Sequence, residues 1–171
     1  MNIVSKIGYI ESFRPLNKED YRAWFSTNKY AIPPEIWNTH DNTGYLQTLI
    51  HPLEVFVMTR GIKLGILFRR GFTWDTASVP NLLRSVVDND HPGIMLGAMV
   101  HDALYASQYL GSDRPSCKLA DKILYDIMLE TGGKEISKRT YLGLSLGGYH
   151  SYKEQSEFDK YLTENYLVLR S

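Results

Sequence analysis

The sequence predicts an α+β fold, in which a small antiparallel β-sheet in the N-terminal half packs with a mainly helical C-terminal half. Three observations carry this. Residues 62, 64, 66 and 68 are apolar and alternate with others, as in a half-buried strand. Residues 92–105 are apolar almost all round, as in a helix at a domain's centre. The first half carries strand signals and the second half reads as helices.

In chain order, Glu19 to Ser26 reads as a short helix with Tyr21, Trp24 and Phe25 on one side, and Pro33-Pro34 then forces an extended passage. Tyr45 to Ile50 is β-friendly, and Val55-Phe56-Val57-Met58 follows His51-Pro52. Arg60-Gly61 reads as a turn into the strand over 62–68. Val79 to Val87 is a short helix. Pro92 opens the central one, at a first-turn position where its missing N–H costs nothing. Ser112-Asp113 and Pro115 start another helix with an apolar stripe of Leu119, Ala120, Ile123, Leu124, Ile127 and Met128, ended by Gly132-Gly133. A further helix is expected over about 135–152. The tail, with Tyr161, Leu162, Tyr166, Leu167 and Leu169, is apolar enough to be expected to dock.

The 171 residues fit a single domain, 1–171, with extensions docking on its core or on a partner. Lys plus Arg and Asp plus Glu both number 19, and the zero net charge argues against general nucleic-acid binding and against a polybasic membrane binder. One cysteine, Cys117, makes neither an internal disulfide nor a thiolate zinc site, and reads as a small apolar side chain facing a neighbouring helix. The start is polar too soon for a signal peptide, and the run 93–100 is too short to span a bilayer. Neutrality hides an asymmetry: residues 1–70 hold nine basic and six acidic side chains, whereas 71–171 hold ten and thirteen. Arg60, Lys63, Arg69 and Arg70 read as a solvated face.

The chemistry concentrates in the acidic half. His101-Asp102 interrupts the most apolar helix, and neither group's helical face looks wet, so each needs a hydrogen-bond partner or a metal ion. Asp121 borders the next helix's stripe, beside Cys117, Tyr125 and Met128. The short connection 111–114 between antiparallel helices would bring it toward the pair. Asp75 and Ser78 stand where the chain leaves a strand for a helix, a place where loops present reactive groups. Asp75, His101, Asp102 and Asp121 form a set suited to Zn²⁺, Mn²⁺ or Mg²⁺ and to activating a water for hydrolysis, with Ser78 as a further candidate catalytic residue. The alternative is structural: Ser78 caps a helix, Asp75 closes an Asx turn, and His101 bonds Asp75 or a backbone carbonyl inside a buried network.

Gly71-Phe72, Asp75, Ala77-Ser78-Val79-Pro80, His101-Asp102-Ala103-Leu104-Tyr105 and Ala120-Asp121, in that order and spacing, resemble the uncharacterised family catalogued as domain of unknown function 1353. The resemblance covers about 53–150. Trp74 stands where the family's usual pattern has Thr. The family is frequent in bacteriophage genomes and prophages, so the resemblance implies a bacteriophage-type protein located in the virion or the host cytoplasm. Its implied partners are other phage proteins or further copies of itself. No activity comes with it. A looser likeness is to the HD phosphohydrolases, in which a His, a His-Asp pair and a later Asp hold metals. His91 lies only ten residues before His101, and Asp75 is the wrong residue type for the missing ligand. Two readings result: a protein with a metal-dependent hydrolase-like site, or a non-enzymatic virion component (tail or head accessory) or host-interaction protein with a structural His–Asp network.

Overall fold

The computed structural model describes residues 6–7, 25–26, 46–75, 92–130, 141, 152 and 154–171. Antiparallel sheets occupy the N-terminal half and helices the C-terminal half. The elements are β1 (Lys6–Ile7), β2 (Phe25–Ser26), β3 (Leu46–Leu49), β4 (Leu53–Thr59), β5 (Ile62–Phe68), β6 (Thr73–Asp75), α1 (Pro92–Ser107), α2 (Arg114–Glu130), α3 (Glu157–Tyr166) and β7 (Leu167–Arg170). They form two sheets, of order β1-β4-β5-β7 and β2-β3-β6.

The β4–β5 hairpin follows the alternation in its residues. Leu53, Val55 and Val57 face Phe68, Ile66 and Leu64 across the ladder, and all six are buried. The other face carries the exposed Phe56 and Met58. Arg60 and Gly61 form the two-residue turn with φ of 51° and 80°, the pair of positive values that suits the twist of a hairpin. A positive φ is costly for Arg60, and the turn is tied down from outside. Asp126 on α2 accepts Arg60 Nε at 2.9 Å, Arg60 Nη2 at 3.1 Å and Thr59 Oγ1 at 2.7 Å.

Phe25–Ser26 pair with Leu49 and Thr48, so the helix expected over 19–26 cannot include its last two residues; 19–24 lie outside the described residues. The helix expected over 79–87 also lies outside them, as does most of 135–152, where Tyr141 and Tyr152 are helical. The apolar tail is a helix followed directly by a strand. Ser156 caps α3 in a reciprocal capping box with Asp159, and β7 then pairs antiparallel with β5, Phe68 opposite Leu167.

The core lies between the hairpin's inner face and α1. Phe68, Phe72 and Trp74 line it, with Phe68 edge-on to Phe72 at 5.0 Å and Phe72 stacked on Trp74 at 6.1 Å. Helix α1 packs against α2, α3 and β6, which explains why it is apolar nearly all round. At Gly97 α2 comes close: a Cβ there would sit 2.6 Å from Leu124 Cδ1. Asp113 starts α2 by accepting the Ser116 N–H at 2.8 Å. The connection from α1 turns through Gln108 and Gly111, at φ of 49° and 112°. It brings α2 back along α1, His101 on one helix facing Asp121 on the other.

Candidate functional site

His101, Asp102 and Asp121 come together where α1 meets α2. His101 Nε2 lies 3.0 Å from Asp121 Oδ1, and His101 Nδ1 lies 3.3 Å from Asp102 Oδ1. His101 is 5% exposed and Asp121 3%, whereas the Asp102 side chain retains 25%. The imidazole thus has a carboxylate at each ring nitrogen, an arrangement that an imidazolium satisfies with two donors and neutral histidine only with one. Burial opposes the charge on His101, but the hydrogen bonds and negative charges of Asp102 and Asp121 outweigh it and raise the pKa to about 9. The two flanking carboxylates thus favour the protonated, cationic form of His101.

Two further side chains join the network. The Tyr105 hydroxyl donates to Asp121 Oδ1 at 2.8 Å and lies 3.1 Å from Cys117 Sγ. Burial and the neighbouring Cys117 and Asp121 push the Tyr105 phenol well above its ordinary range, and burial likewise raises the Cys117 thiol. Cys117 does face the neighbouring helix, but as a hydrogen-bonding group. Spacing held the clue to both: Tyr105 is four residues after His101 and Cys117 four before Asp121, one helical turn in each case.

A third layer closes over Tyr105. Tyr152 lies edge-on to its ring at 4.7 Å and donates its hydroxyl to the Gly111 carbonyl. Gln108 donates to the Tyr152 carbonyl at 2.7 Å, and Gln155 donates to the Ala106 carbonyl near the end of α1. The Gln155 bond satisfies a carbonyl in the last turn of α1, where the helix leaves it without an internal partner.

Of the other candidates, Asp75 is the last residue of β6, opposite Leu46, on a strand that packs against α1. Its side chain and Ser78 lie outside what the structure describes. A metal ligand needs an unprotonated ring nitrogen, and both nitrogens of His101 face carboxylates within hydrogen-bond distance. Among the described residues, no group of three or more His, Cys, Asp or Glu side chains is placed to hold a metal ion. Nor is any helix among them long and apolar enough to cross a membrane.

No curated protein matches the chain, and no solved structure does. One family model matches residues 53–143, more than half of the chain, from the β4–β5 hairpin through α1 and α2. The matched segment holds all five residues of the network. The chain belongs to the family described as protein of unknown function (DUF1353).

Proposed function

We propose that this chain is a non-enzymatic bacteriophage-type protein, a virion component such as a tail or head accessory or a host-interaction factor, and that its His–Asp network is a structural lock between the two central helices. The observation that carries the lock is the engagement of both His101 ring nitrogens by carboxylates in a site from which His101 and Asp121 are almost excluded from water. A general base or a metal ligand needs a free nitrogen lone pair, and an imidazolium with both N–H groups engaged has none. The surface is then where function lies. Exposed aromatic side chains such as Phe56 and Tyr109 supply residue types that favour protein contacts, with other phage proteins or further copies of this chain as partners. The setting would be the virion or the host cytoplasm.

The second reading is a metal-dependent hydrolase in which Asp75, His101, Asp102 and Asp121 hold Zn²⁺, Mn²⁺ or Mg²⁺. Two observations favour it: β6 ends at Asp75 beside the helix that carries His101, and the Asp102 carboxylate is a quarter exposed. It requires one His101 nitrogen to give up its carboxylate for the metal.

Metal analysis of the purified protein separates the two. The lock predicts metal far below one equivalent and a melting temperature unchanged by chelator. Near-stoichiometric metal that disappears in His101→Gln would overturn it. The virion assignment is tested by mass spectrometry of purified particles, where the chain's absence would leave only the host-interaction role.

A further inference from the structure

The Tyr105 hydroxyl has one proton and, among the described residues, hydrogen-bonds with Asp121 and Cys117. Asp121 Oδ1, at 2.8 Å, belongs to a carboxylate and only accepts, so the proton points there. Cys117 Sγ, at 3.1 Å, then faces the lone pairs of the hydroxyl, and the thiol supplies its own S–H. The same Asp121 oxygen lies 3.0 Å from His101 Nε2, which donates to it when the ring is an imidazolium. Tyr105 also lies against the imidazole, ring centroids 4.0 Å apart and planes inclined by 37°. It therefore touches both members of the His101–Asp121 pair, one through its hydroxyl and the other through its ring.

We infer that Tyr105 is the positioning residue of the network: it fixes the Asp121 carboxylate that holds His101 Nε2–H, within a one-way chain of donors running from Cys117 S–H to Tyr105 O–H to Asp121. The contact between Asp102 and His101 Nδ1 lies outside that chain. Cys117, the sole cysteine, is on this account a buried donor and not a nucleophile. The inference rests on the lock reading, because it requires a protonated ring nitrogen facing each carboxylate.

Proton NMR of the full chain with ¹⁵N-labelled histidine tests it. The wild type should show two slowly exchanging ring N–H signals from His101. Fewer than two overturns the lock reading itself. Tyr105→Phe keeps the ring and removes the hydroxyl. It should shift the Nε2 proton and leave the Nδ1 proton in place. If neither moves, or both move alike, Tyr105 does not position Asp121 and the inference fails while the lock stands. Cys117 reads the chain from its other end, whether or not Tyr105→Phe folds. Cys117→Ala should shift the Tyr105 hydroxyl proton and Cys117→Ser should restore it. A hydroxyl signal unmoved in Cys117→Ala overturns the direction of the chain.

Discussion

Replacing His101 by Gln should cost stability in a way that depends on pH, and the size follows from the network. The folded-state pKa of His101 is about 9, against an ordinary histidine value of 6.5. At about 1.4 kcal/mol per factor of ten in proton affinity, that difference is worth on the order of 3 kcal/mol. Because the pKa is raised on folding, the native state holds the proton more tightly than the unfolded chain. The stabilisation is fully present below pH 6.5 and is lost as pH rises through about 9. His101→Gln lacks the titration, and it also leaves the two flanking carboxylates without the imidazole between them. Urea unfolding followed by tryptophan fluorescence, at pH 6, 7.5 and 9.5, should therefore give a difference between wild type and variant that is largest at pH 6 and smaller by about 3 kcal/mol at pH 9.5. Groups that titrate equally in both proteins cancel in this difference. A difference that stays constant across the range would mean that His101 carries no extra proton in the folded state, and the charged lock would be refuted.

Three other perturbations test the frame around the site. Asp126→Asn removes the carboxylate that holds Thr59 and Arg60; since Arg60 keeps 29% exposure and can turn to water, the loss should be about 2 kcal/mol, or about 6 °C in melting temperature. Gly97→Ala forces a Cβ to within 2.6 Å of Leu124 Cδ1 and 3.3 Å of Met128 Cγ. Overpacking should outweigh the gain in helix propensity and leave a net loss on the order of 1 kcal/mol by urea unfolding; a gain would show slack between α1 and α2. A chain ending at His150 loses the bonds from Tyr152 and Gln155, the buried Phe158 and Leu162, and the strand paired to β5. It should show no cooperative thermal transition, although the family-matched segment 53–143 is intact.

The parts of the fold that were legible in the residues are those whose periodicity is undisturbed. Strand β5 runs over 62–68 as its alternation predicts, Arg60-Gly61 is its turn, and the two central helices begin within a residue or so of Pro92 and Pro115. The meeting of His101 with Asp121 followed from a short connection between antiparallel helices. Other features were hidden for physical reasons. Phe25–Ser26 lie in an aromatic-rich stretch whose spacing also suits a helix, and pairing with β3 decides the matter. No glycine or proline separates α3 from β7; the change from helix to strand occurs at Leu167, whose N–H still bonds the Thr163 carbonyl. What selects strand there is the ladder to β5, which local sequence does not encode. Nothing local marks Asp126, because its partners Thr59 and Arg60 lie 67 and 66 residues earlier. Cys117 reads as a packing residue, since a thiol on an apolar face joins the Tyr105 hydroxyl in a network only when the two helices are laid side by side.

In the proposed lock His101 is a cation with both ring nitrogens protonated, shared between Asp102 and Asp121. Nitrogen NMR of histidine-labelled protein at pH 8, where an ordinary imidazole is neutral, tests this most directly. Both His101 nitrogens should resonate as protonated imidazolium. A bare or metal-bound nitrogen at that pH would contradict it.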